Sequence, residues 1–478
     1  MARFCTSLIL YLFAVYAAHA QHTGGGNFLD PLRKPVGIFS CDPGELGAAR
    51  DKLVDAQPIL DRCLNAAPTG ATIELPAGVY TLQRQLILSK AVTITTAGKK
   101  EAADGCPANG QGCVNFVPGE HFSEPGGLLK VTANSVRLRH LVLDGRKEDR
   151  NETVYQHCRA LRTAYGYNLS IQGDDVQFVG SVLKNAICGT GAEVSGKRKS
   201  IVMVRNKILD NGTHDVKNMW ADGITVHDAR DSVFKGNEFR DNTDIDLIFG
   251  GCQRCRIQLN SVTHTARYSG SAYVGLMIQA WPSSSGDYTD SVIARNRVDC
   301  GPSKNCGFGI YIGSSAWYAS PPVKGGRFES NLVLRSQTGL VIDDVDGMRI
   351  GLNEVAQSGG GRHHTSLGEW DAPALIVTSK SRAIIEGGTN ARPAPSRYTK
   401  IDVTGRIPNY SVTNNPVPER EPGCSDPVRY PFPHYGLKNG RCLKSCGALG
   451  GKHASEIACE TIGRLPVGDA YDVLFCCQ

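Results

Sequence analysis

Short apolar runs separated by polar turns dominate the chain from about residue 70 onward. The first runs lie at 71–82, 86–88 and 92–95, and Gly, Pro or polar residues bound each of them. Runs of this length and β-branched composition predict short strands. Ahead of them, residues 57–67 have apolar positions spaced for one face of a helix, and no helical period returns over the next ~250 residues. The pattern predicts one N-terminal helix followed by an all-β region.

A longer repeat is superimposed on these strands. Six segments share a phrase in which an apolar residue is followed by Asn and then by a second apolar run. The asparagines of this phrase are Asn206, Asn237, Asn260, Asn296, Asn331 and Asn353. Their spacings of 31, 23, 36, 35 and 22 residues predict a solenoid whose coils bury their apolar faces against one another. We expect each Asn to adopt the left-handed conformation of a turn and to join an amide ladder.

A β-sandwich and a β-propeller are the alternative all-β architectures. Sandwich strands carry no repeating Asn phrase, and propeller blades need about 40 to 50 residues each. The repeat therefore favours a parallel β-helix over residues 70–390, with the helix at 57–67 capping its start. On the phrase Ile73-Glu-Leu-Pro-Ala-Gly-Val-Tyr80 and the Asn coils, the chain resembles the pectin-lyase-like right-handed β-helix superfamily over about two thirds of its length.

The two ends of the chain differ from this region. Residues 1–20 combine a basic start, an apolar run and a small-residue cleavage site, which predicts a secretory signal peptide. Residues 21–69 form an N-terminal segment that includes the capping helix. Prolines are frequent in residues 391–423, which we interpret as a linker, and six cysteines in residues 424–478 predict a disulfide-rich module. No later apolar run is long enough to span a membrane, so we expect an exported protein without a membrane partner.

Cysteine count and charge narrow the class of protein. The formal net charge is +6 without a basic tail, so we expect no nucleic-acid partner. One of the seventeen cysteines lies in the signal peptide, and the even number that remains predicts disulfides. The nearest neighbours in sequence are Cys41/Cys63, Cys106/Cys113, Cys158/Cys188, Cys252/Cys255 and Cys300/Cys306. A zinc or redox motif is the alternative for Cys252/Cys255, but a second pair of ligands is missing, which favours a disulfide.

Carboxylates on two neighbouring coils are the candidate chemistry. Asp222 lies in Trp220-Ala-Asp222-Gly-Ile-Thr-Val226, and Asp244 and Asp246 follow one coil later in Asn242-Thr-Asp244-Ile-Asp246. Strand alternation places Asp244 and Asp246 on one outer face, beside Asp222. Crowded carboxyl groups raise one another's pKa, and hydrolysis of a glycosidic bond needs an acid together with a base or nucleophile. Turn formation is the alternative role for these aspartates.

The carboxylate phrases are similar to those of β-helical glycoside hydrolases, namely polygalacturonases, dextranases and the mycodextranase and α-1,3-glucanase group. This resemblance implies a polysaccharide hydrolase that inverts configuration and needs no cofactor or metal ion. It implies catalytic roles for Asp222, Asp244 and Asp246, although Ile245 separates two residues that are adjacent in those families. His264 is the candidate for a histidine that polygalacturonases carry on a later coil. We expect the protein to act as a monomer.

Aromatic and basic residues on the same coils are candidate sugar contacts. Aromatic rings pack on the apolar faces of pyranoses, which makes Trp220, Trp281 and Trp317 candidates, and Arg267 is a basic candidate. The alternative role for such rings is to hold loops against the helix.

Two other functions stay open at this point. A polysaccharide lyase or C5-epimerase acting on a uronic-acid polymer would need a basic residue as its base, and Arg267, Arg295 and Lys324 are the candidates. The third possibility is a carbohydrate-binding β-helix that performs no catalysis.

Overall fold

The structure is a computed structural model. It describes residues 36–99, 105–216, 218–265, 268–315 and 319–359, and the short segments 362–365, 368–371, 374–377, 381–385, 390–393, 401–403 and 411–412. The predicted signal peptide, most of the predicted linker and the predicted Cys-rich module lie outside the described residues.

The strands form three long sheets, named A, B and C here, and successive strands of the chain belong to the three sheets in turn. Sheet A contains Val36–Phe39, Ala71–Leu75, Thr93–Thr96, Arg137–Arg139, Gln177–Val179, Val202–Val204, Val233–Lys235, Arg256–Gln258, Val292–Ala294, Val323–Lys324, Arg327–Glu329, Val345–Gly351 and Arg382–Ile385. Sheet B contains Lys52–Asp55, Gly78–Leu82, Val114–Pro118, Leu141–Asp144, Val182–Lys184, Lys207–Leu209, Glu238–Arg240, Ser261–Thr263, Arg297–Asp299, Leu332–Leu334, Glu354–Ser358, Asn390–Pro393 and Ser411–Val412. Sheet C contains Leu86–Leu88, Leu129–Val131, Leu169–Ile171, Gly189–Lys199, Ala221–Arg230, Ile245–Phe249, Cys252–Gln253, Ala272–Ala280, Cys306–Ser314, Thr338–Asp343, Leu375–Val377 and Ile401–Val403.

Strands of successive coils pair in parallel, as in Val202 opposite Val233 and Val233 opposite Arg256. This arrangement confirms the predicted right-handed parallel β-helix. A separate antiparallel pair is formed by Arg362–Thr365 and Gly368–Asp371. Strands of sheets A and B lie before residue 70, and strands of all three sheets reach past residue 380, up to Val412.

Three α-helices lie in the described part of the chain: α1 (Pro43–Ala49), α2 (Gln57–Ala66) and α3 (Glu152–Arg159). Short 3₁₀ turns occupy Lys147–Asp149, Thr163–Gly166 and Tyr268–Gly270. Helix α2 is the predicted cap, because its Leu60 and Cys63 pack into the same apolar core as the first strands.

Helix α3 contradicts the expectation that no second helix follows. It has only eight residues and lies in a connection from sheet B to sheet C, so it leaves little periodic signal. Its start is fixed by Asn151, whose side-chain oxygen accepts a hydrogen bond from the backbone N–H of Val154 at 3.1 Å.

The repeated asparagines form a buried ladder at the turn from sheet A to sheet B. The Nδ2 of each donates to the Oδ1 of the next along the whole series from Asn206 to Asn353, at 2.9–3.0 Å. The left-handed conformation, however, belongs to the preceding residue, for example Arg205 at φ 56° and Arg295 at φ 57°. The expectation that Asn itself is left-handed is wrong. The chain changes direction at the residue before Asn, and the side-chain amide of Asn therefore points along the stack of coils.

All five neighbouring cysteine pairs of the described region are disulfides: Cys41–Cys63, Cys106–Cys113, Cys158–Cys188, Cys252–Cys255 and Cys300–Cys306. The interpretation of Cys252/Cys255 as a disulfide bridge is confirmed. Cys41–Cys63 and Cys158–Cys188 tie helices α2 and α3 to residues outside those helices, whereas Cys252–Cys255 and Cys300–Cys306 each close a short turn.

Candidate functional site

Asp222 and Asp244 lie on neighbouring coils at the start of two paired strands of sheet C. Strand Ala221–Arg230 pairs with strand Ile245–Phe249 at an offset of 23 residues, with Ile224 opposite Leu247. Both aspartates are half-buried. The structure therefore brings together two of the three carboxylates that the sequence singles out.

The glycine that follows Asp222 allows the two coils to approach. A Cβ placed on Gly223 would lie 2.3 Å from the carbonyl oxygen of Asp246 and 2.9 Å from the ring of Phe239. Close approach of the next coil, and not a left-handed turn, is therefore what requires glycine here. The Asp-Gly pair is part of the strand that carries the site.

Two donors hold the carboxylate of Asp222. The Thr225 hydroxyl donates to Oδ2 at 2.6 Å, and the backbone N–H of Ile245 donates to Oδ1 at 3.0 Å. Burial nevertheless raises the pKa of Asp222 to about 7, and the negative charge of Asp246 adds to this rise while the two hydrogen bonds oppose it. Asp222 is therefore poised to exchange a proton near neutral pH.

The carboxyl group of Asp244 is in a different environment. Its Oδ1 is buried and has no hydrogen-bond partner among the described residues. Burial raises the pKa of Asp244 well above its usual range, and the neighbouring charge of Asp222 raises it further. Because no donor stabilises the ionised form at Oδ1, Asp244 is the member of the pair that keeps its proton to higher pH.

Asp246 does not lie on an outer face, so this part of the sequence prediction is wrong. Its side chain is completely buried, with Oδ1 accepting from the Asn242 amide at 2.8 Å and Oδ2 lying 2.8 Å from Nε2 of His264. Period-2 alternation fails here because the B-to-C turns of two coils close over the strand and supply partners for the carboxylate. Asp246 is therefore enclosed inside the protein, and its charge acts on Asp222 from there.

His264 is equally buried and is not free to contact a sugar. Its Nδ1 lies 2.8 Å from the carbonyl oxygen of Gly270 and 3.8 Å from Oδ1 of Asp241. Burial alone would lower the pKa of His264, but the carboxylate of Asp246 and these acceptors raise it above the ordinary value. The expectation that His264 binds substrate is wrong, since both ring nitrogens are engaged inside the protein.

The other candidate contacts fall into three groups. Trp220 is only 6% exposed, so its ring faces are covered, and its Nε1 is buried without a partner among the described residues. Trp281 is half-buried and meets His227 edge-on, with ring centroids 5.4 Å apart. Arg267 and Trp317 lie outside the described residues. Trp281 is thus the described aromatic candidate with an open surface.

The sequence analysis did not identify a further carboxylate on the same sheet, Glu193. Glu193 lies 3.1 Å from Nε2 of His227 and accepts from the Ser195 hydroxyl at 2.5 Å, and Glu193 is the register partner of Thr225. Burial would raise the pKa of Glu193, but the His227 and Ser195 hydrogen bonds outweigh it and lower the pKa. The signal available in the sequence was the spacing of 32 residues from Glu193 to Thr225, which is one coil in this part of the repeat.

The described residues contain no cluster of three or more His, Cys, Asp or Glu side chains placed to hold a metal ion. In the same residues, no helix is both long enough and apolar enough to cross a membrane.

Comparison with known proteins agrees with this architecture. A family model described as "Right handed beta helix region" matches residues 153–355. No curated protein matches the chain.

Solved structures with a similar fold include three carbohydrate-related proteins. The tailspike protein of E. coli bacteriophage HK620, solved as a mutant in complex with a hexasaccharide, superposes with a TM-score of 0.51 at 11% identity, covering 80% of this chain and 66% of that chain. The polygalacturonase of Erwinia carotovora ssp. carotovora gives 0.48 at 12% identity, covering 81% and 100%. The alginate lyase of Paenibacillus sp. str. FPU-7 gives 0.44 at 12% identity, covering 78% and 99%.

At these identities the likeness concerns the fold and not the reaction. Residues 153–355 match the right-handed β-helix family model, and the structure has a right-handed parallel β-helix fold.

Proposed function

We propose that the protein is an exported enzyme that hydrolyses glycosidic bonds of a polysaccharide, with Asp244 as general acid and Asp222 as general base. The observation that carries this proposal is the pairing of two half-buried carboxyl groups on adjacent coils, both with raised pKa values. Such a pair retains one proton near neutral pH, and glycoside hydrolysis needs one protonated and one ionised carboxyl group.

The hydrogen bonds assign the two roles. Asp222 accepts from Thr225 and from the backbone of Ile245, and both bonds favour its ionised form. Asp244 has an unpartnered buried oxygen and so favours its neutral form. Asp246 and His264 touch no solvent, and we assign them a positioning role, in which they fix the turn that presents Asp244.

In this proposal Asp222 activates water and does not attack the sugar, so the reaction involves no covalent intermediate. Asp244 donates its proton to the glycosidic oxygen as the bond from that oxygen to the anomeric carbon breaks. Asp222 takes a proton from a water molecule whose oxygen bonds to the anomeric carbon. The products are a new reducing end and a sugar hydroxyl, and the proton gained by Asp222 replaces the one lost by Asp244 through exchange with water.

A lyase reaction fits the two described basic candidates, Arg295 and Lys324, less well. It would need a base beside the uronate, but Arg295 lies in a turn from sheet A to sheet B and Lys324 in a strand of sheet A. Neither residue lies on sheet C with the carboxylates. The basic candidate Arg267 lies outside the described residues.

Export is proposed on two grounds. The first twenty residues have the layout of a signal peptide, and the described region carries five disulfides, which persist in oxidising compartments.

The test uses the purified chain and a panel of neutral and acidic polysaccharides. Reducing ends and ultraviolet absorbance are followed together, because a lyase creates an absorbing double bond and a hydrolase does not. Reducing ends without absorbance are expected, and Asp244→Asn and Asp222→Asn should each reduce the rate by about 10²-fold or more.

The matched control is Asp346→Asn. Asp346 lies on sheet A in an exposed pair with Arg382, so its loss should leave the rate within about twofold. Ultraviolet absorbance from the wild-type chain, or full activity of both sheet C variants, would overturn the proposal.

A further inference from the structure

A cavity of about 370 Å³ opens at the carboxyl ends of strands Gly189–Lys199 and Ala221–Arg230. Four cationic side chains line it: Lys197, Arg198, Lys199 and Arg230. It lies at the end of strand Ala221–Arg230 opposite to Asp222. The cavity is therefore on the same sheet as the carboxylate pair but is not part of it.

The strand register forces like charges together at this cavity. Lys199 is the direct partner of Arg230 across the two parallel strands. Neighbouring strands lie about 4.8 Å apart, and like charges placed directly opposite each other are destabilising. An anion bound between the two side chains would remove this repulsion.

These cations form no salt bridge with a described residue. The carboxylate of Asp231 is paired with Arg254, and the charges of Arg254, Arg230 and Lys199 lower its pKa. Lys197, Lys199 and Arg230 form no salt bridge within 4.0 Å of any described residue, and all three are exposed. Arg198 donates from Nε to the carbonyl oxygen of Ser195 at 2.7 Å, which holds its guanidinium in place without neutralising it. The charges remain available to a ligand.

Three carboxylates also line the cavity, and each already accepts hydrogen bonds from the protein. Asp174 accepts from the backbone N–H of Lys199 at 3.1 Å. Asp228 is buried and accepts from the hydroxyl and backbone N–H of Ser285. Asp287 accepts from the hydroxyl and backbone N–H of Thr289. Asp174 and Asp287 are only partly exposed, whereas Lys197, Lys199 and Arg230 are exposed, so the most exposed charges of the cavity are cationic.

We propose that this cavity binds an anionic group, a carboxylate or a sulfate, of an acidic polysaccharide whose chain is cleaved at Asp222 and Asp244. Cleavage of the bound chain at Asp222 and Asp244 is the part of this inference that rests on the proposed function. Arg230 follows Asp222 by eight positions, a length of ~26 Å along an extended strand, which accommodates several sugar rings. Half-buried Thr225 and His227 lie between them on that strand, with Trp281 against His227.

The experiment measures binding without turnover. Full-length protein carrying Asp244→Asn is titrated with polygalacturonate, with dextran sulfate and with neutral dextran, at low and at high salt. We expect binding of at least one anionic polymer, no comparable binding of dextran, and weaker binding at high salt, because exposed charges are screened. The two anionic polymers distinguish a carboxylate from a sulfate ligand.

Two double variants in the same background locate the site. Lys199→Gln with Arg230→Gln should weaken binding of the anionic polymer at least about tenfold. Lys235→Gln with Arg295→Gln makes the same charge change at exposed positions on and beside sheet A, and should change binding less than about twofold. Circular dichroism and thermal unfolding confirm that both variants are folded.

The outcomes separate this inference from the proposed function. Equal losses in the two double variants, or no loss in either, would overturn the anionic subsite whatever the enzyme does. Specific loss in the first variant combined with an inactive wild-type chain would retain the subsite and overturn the hydrolase.

Discussion

Nε2 of His264 lies 2.8 Å from Oδ2 of Asp246, and neither side chain is accessible to solvent. The pair joins two successive coils, because Asp246 belongs to one strand of sheet C and His264 begins the B-to-C turn of the next coil. Asn242 extends the contact to a third coil through the amide of Asn211, which donates to Asn242 at 2.7 Å. A buried polar chain therefore supports the turn that carries Asp244.

Removal of one member of this pair should destabilise the protein strongly. Asp246→Asn or His264→Gln leaves its former partner buried without its counter-charge, at a cost of about 3–5 kcal/mol in the free energy of unfolding. Urea unfolding of both single variants and the double variant measures this cost. The double variant should be much less destabilised than the sum of the two single variants, and additive losses would contradict a direct pair.

The pH dependence of stability should be less steep in Asp222→Asn. The pKa of Asp222 is about 7 in the folded protein against 3.8 for the free side chain, so the folded state binds more protons and stability falls as pH rises through this window. Urea midpoints between pH 4 and pH 7 for wild type and variant isolate this contribution by difference. Identical slopes would show that Asp222 ionises normally.

Thr225→Val should move the acidic limb of the pH–rate profile. The Thr225 hydroxyl donates to Asp222 and stabilises its ionised form, and a hydrogen bond to a charged group is worth roughly one pKa unit. The limb should therefore shift upward by about one pH unit. Thr225→Ser keeps the donor and should restore the wild-type profile, whereas a rate loss without a shift would indicate only a packing defect.

Gly223→Ala should disturb both stability and activity. Its Cβ would lie 2.3 Å from the carbonyl oxygen of Asp246, and overpacking of this kind typically costs about 1–3 kcal/mol. Gly47→Ala in helix α1 is the matched control, because nothing lies within 4 Å of the new Cβ and alanine favours a helix. Thermal unfolding should show a lower midpoint for the first variant and an equal or higher one for the second.

Replacement of one asparagine of the ladder should lower the free energy of unfolding by more than the loss of a single hydrogen bond would. Asn260→Ala removes an acceptor from Asn237 and donors to Asn296 and to the carbonyl oxygen of Phe234, and each buried group left unpaired costs about 1–3 kcal/mol. Asn65→Ala, at an exposed position of helix α2, should be near neutral. Similar urea midpoints for the two variants would contradict a structural role for the ladder.

The repeated phrase was sufficient to predict the solenoid. Six successive coils contain the same Asn, from Asn206 to Asn353, so stacking, sheet direction and the ladder follow from the pattern of single coils repeated along the chain. The cysteine pairs were predictable for a related reason, since residues such as Cys300 and Cys306 are close in sequence and can meet within one turn. Local spacing carries this information because every coil contacts only its neighbours.

The candidate site was only partly predictable. Asp222 and Asp244 were brought together as the coil spacing indicated, whereas Asp246, His264 and Trp220 were expected at the surface and are buried. Strand alternation treats each strand as if one face were open. Here the turns of adjacent coils cover part of sheet C. The contacts that they make join residues, such as Asp246 and His264, whose separation in sequence does not match the coil repeat.

The sequence by itself determined the coil, its sheets and the presence of carboxylates on adjacent turns, because these depend on spacings within one or two coils. Only the tertiary structure decided which carboxylates keep a surface and which become internal supports. It also decided the pairing of Glu193 with His227 and the opposition of Lys199 to Arg230, because strand register is set by the packing of whole coils.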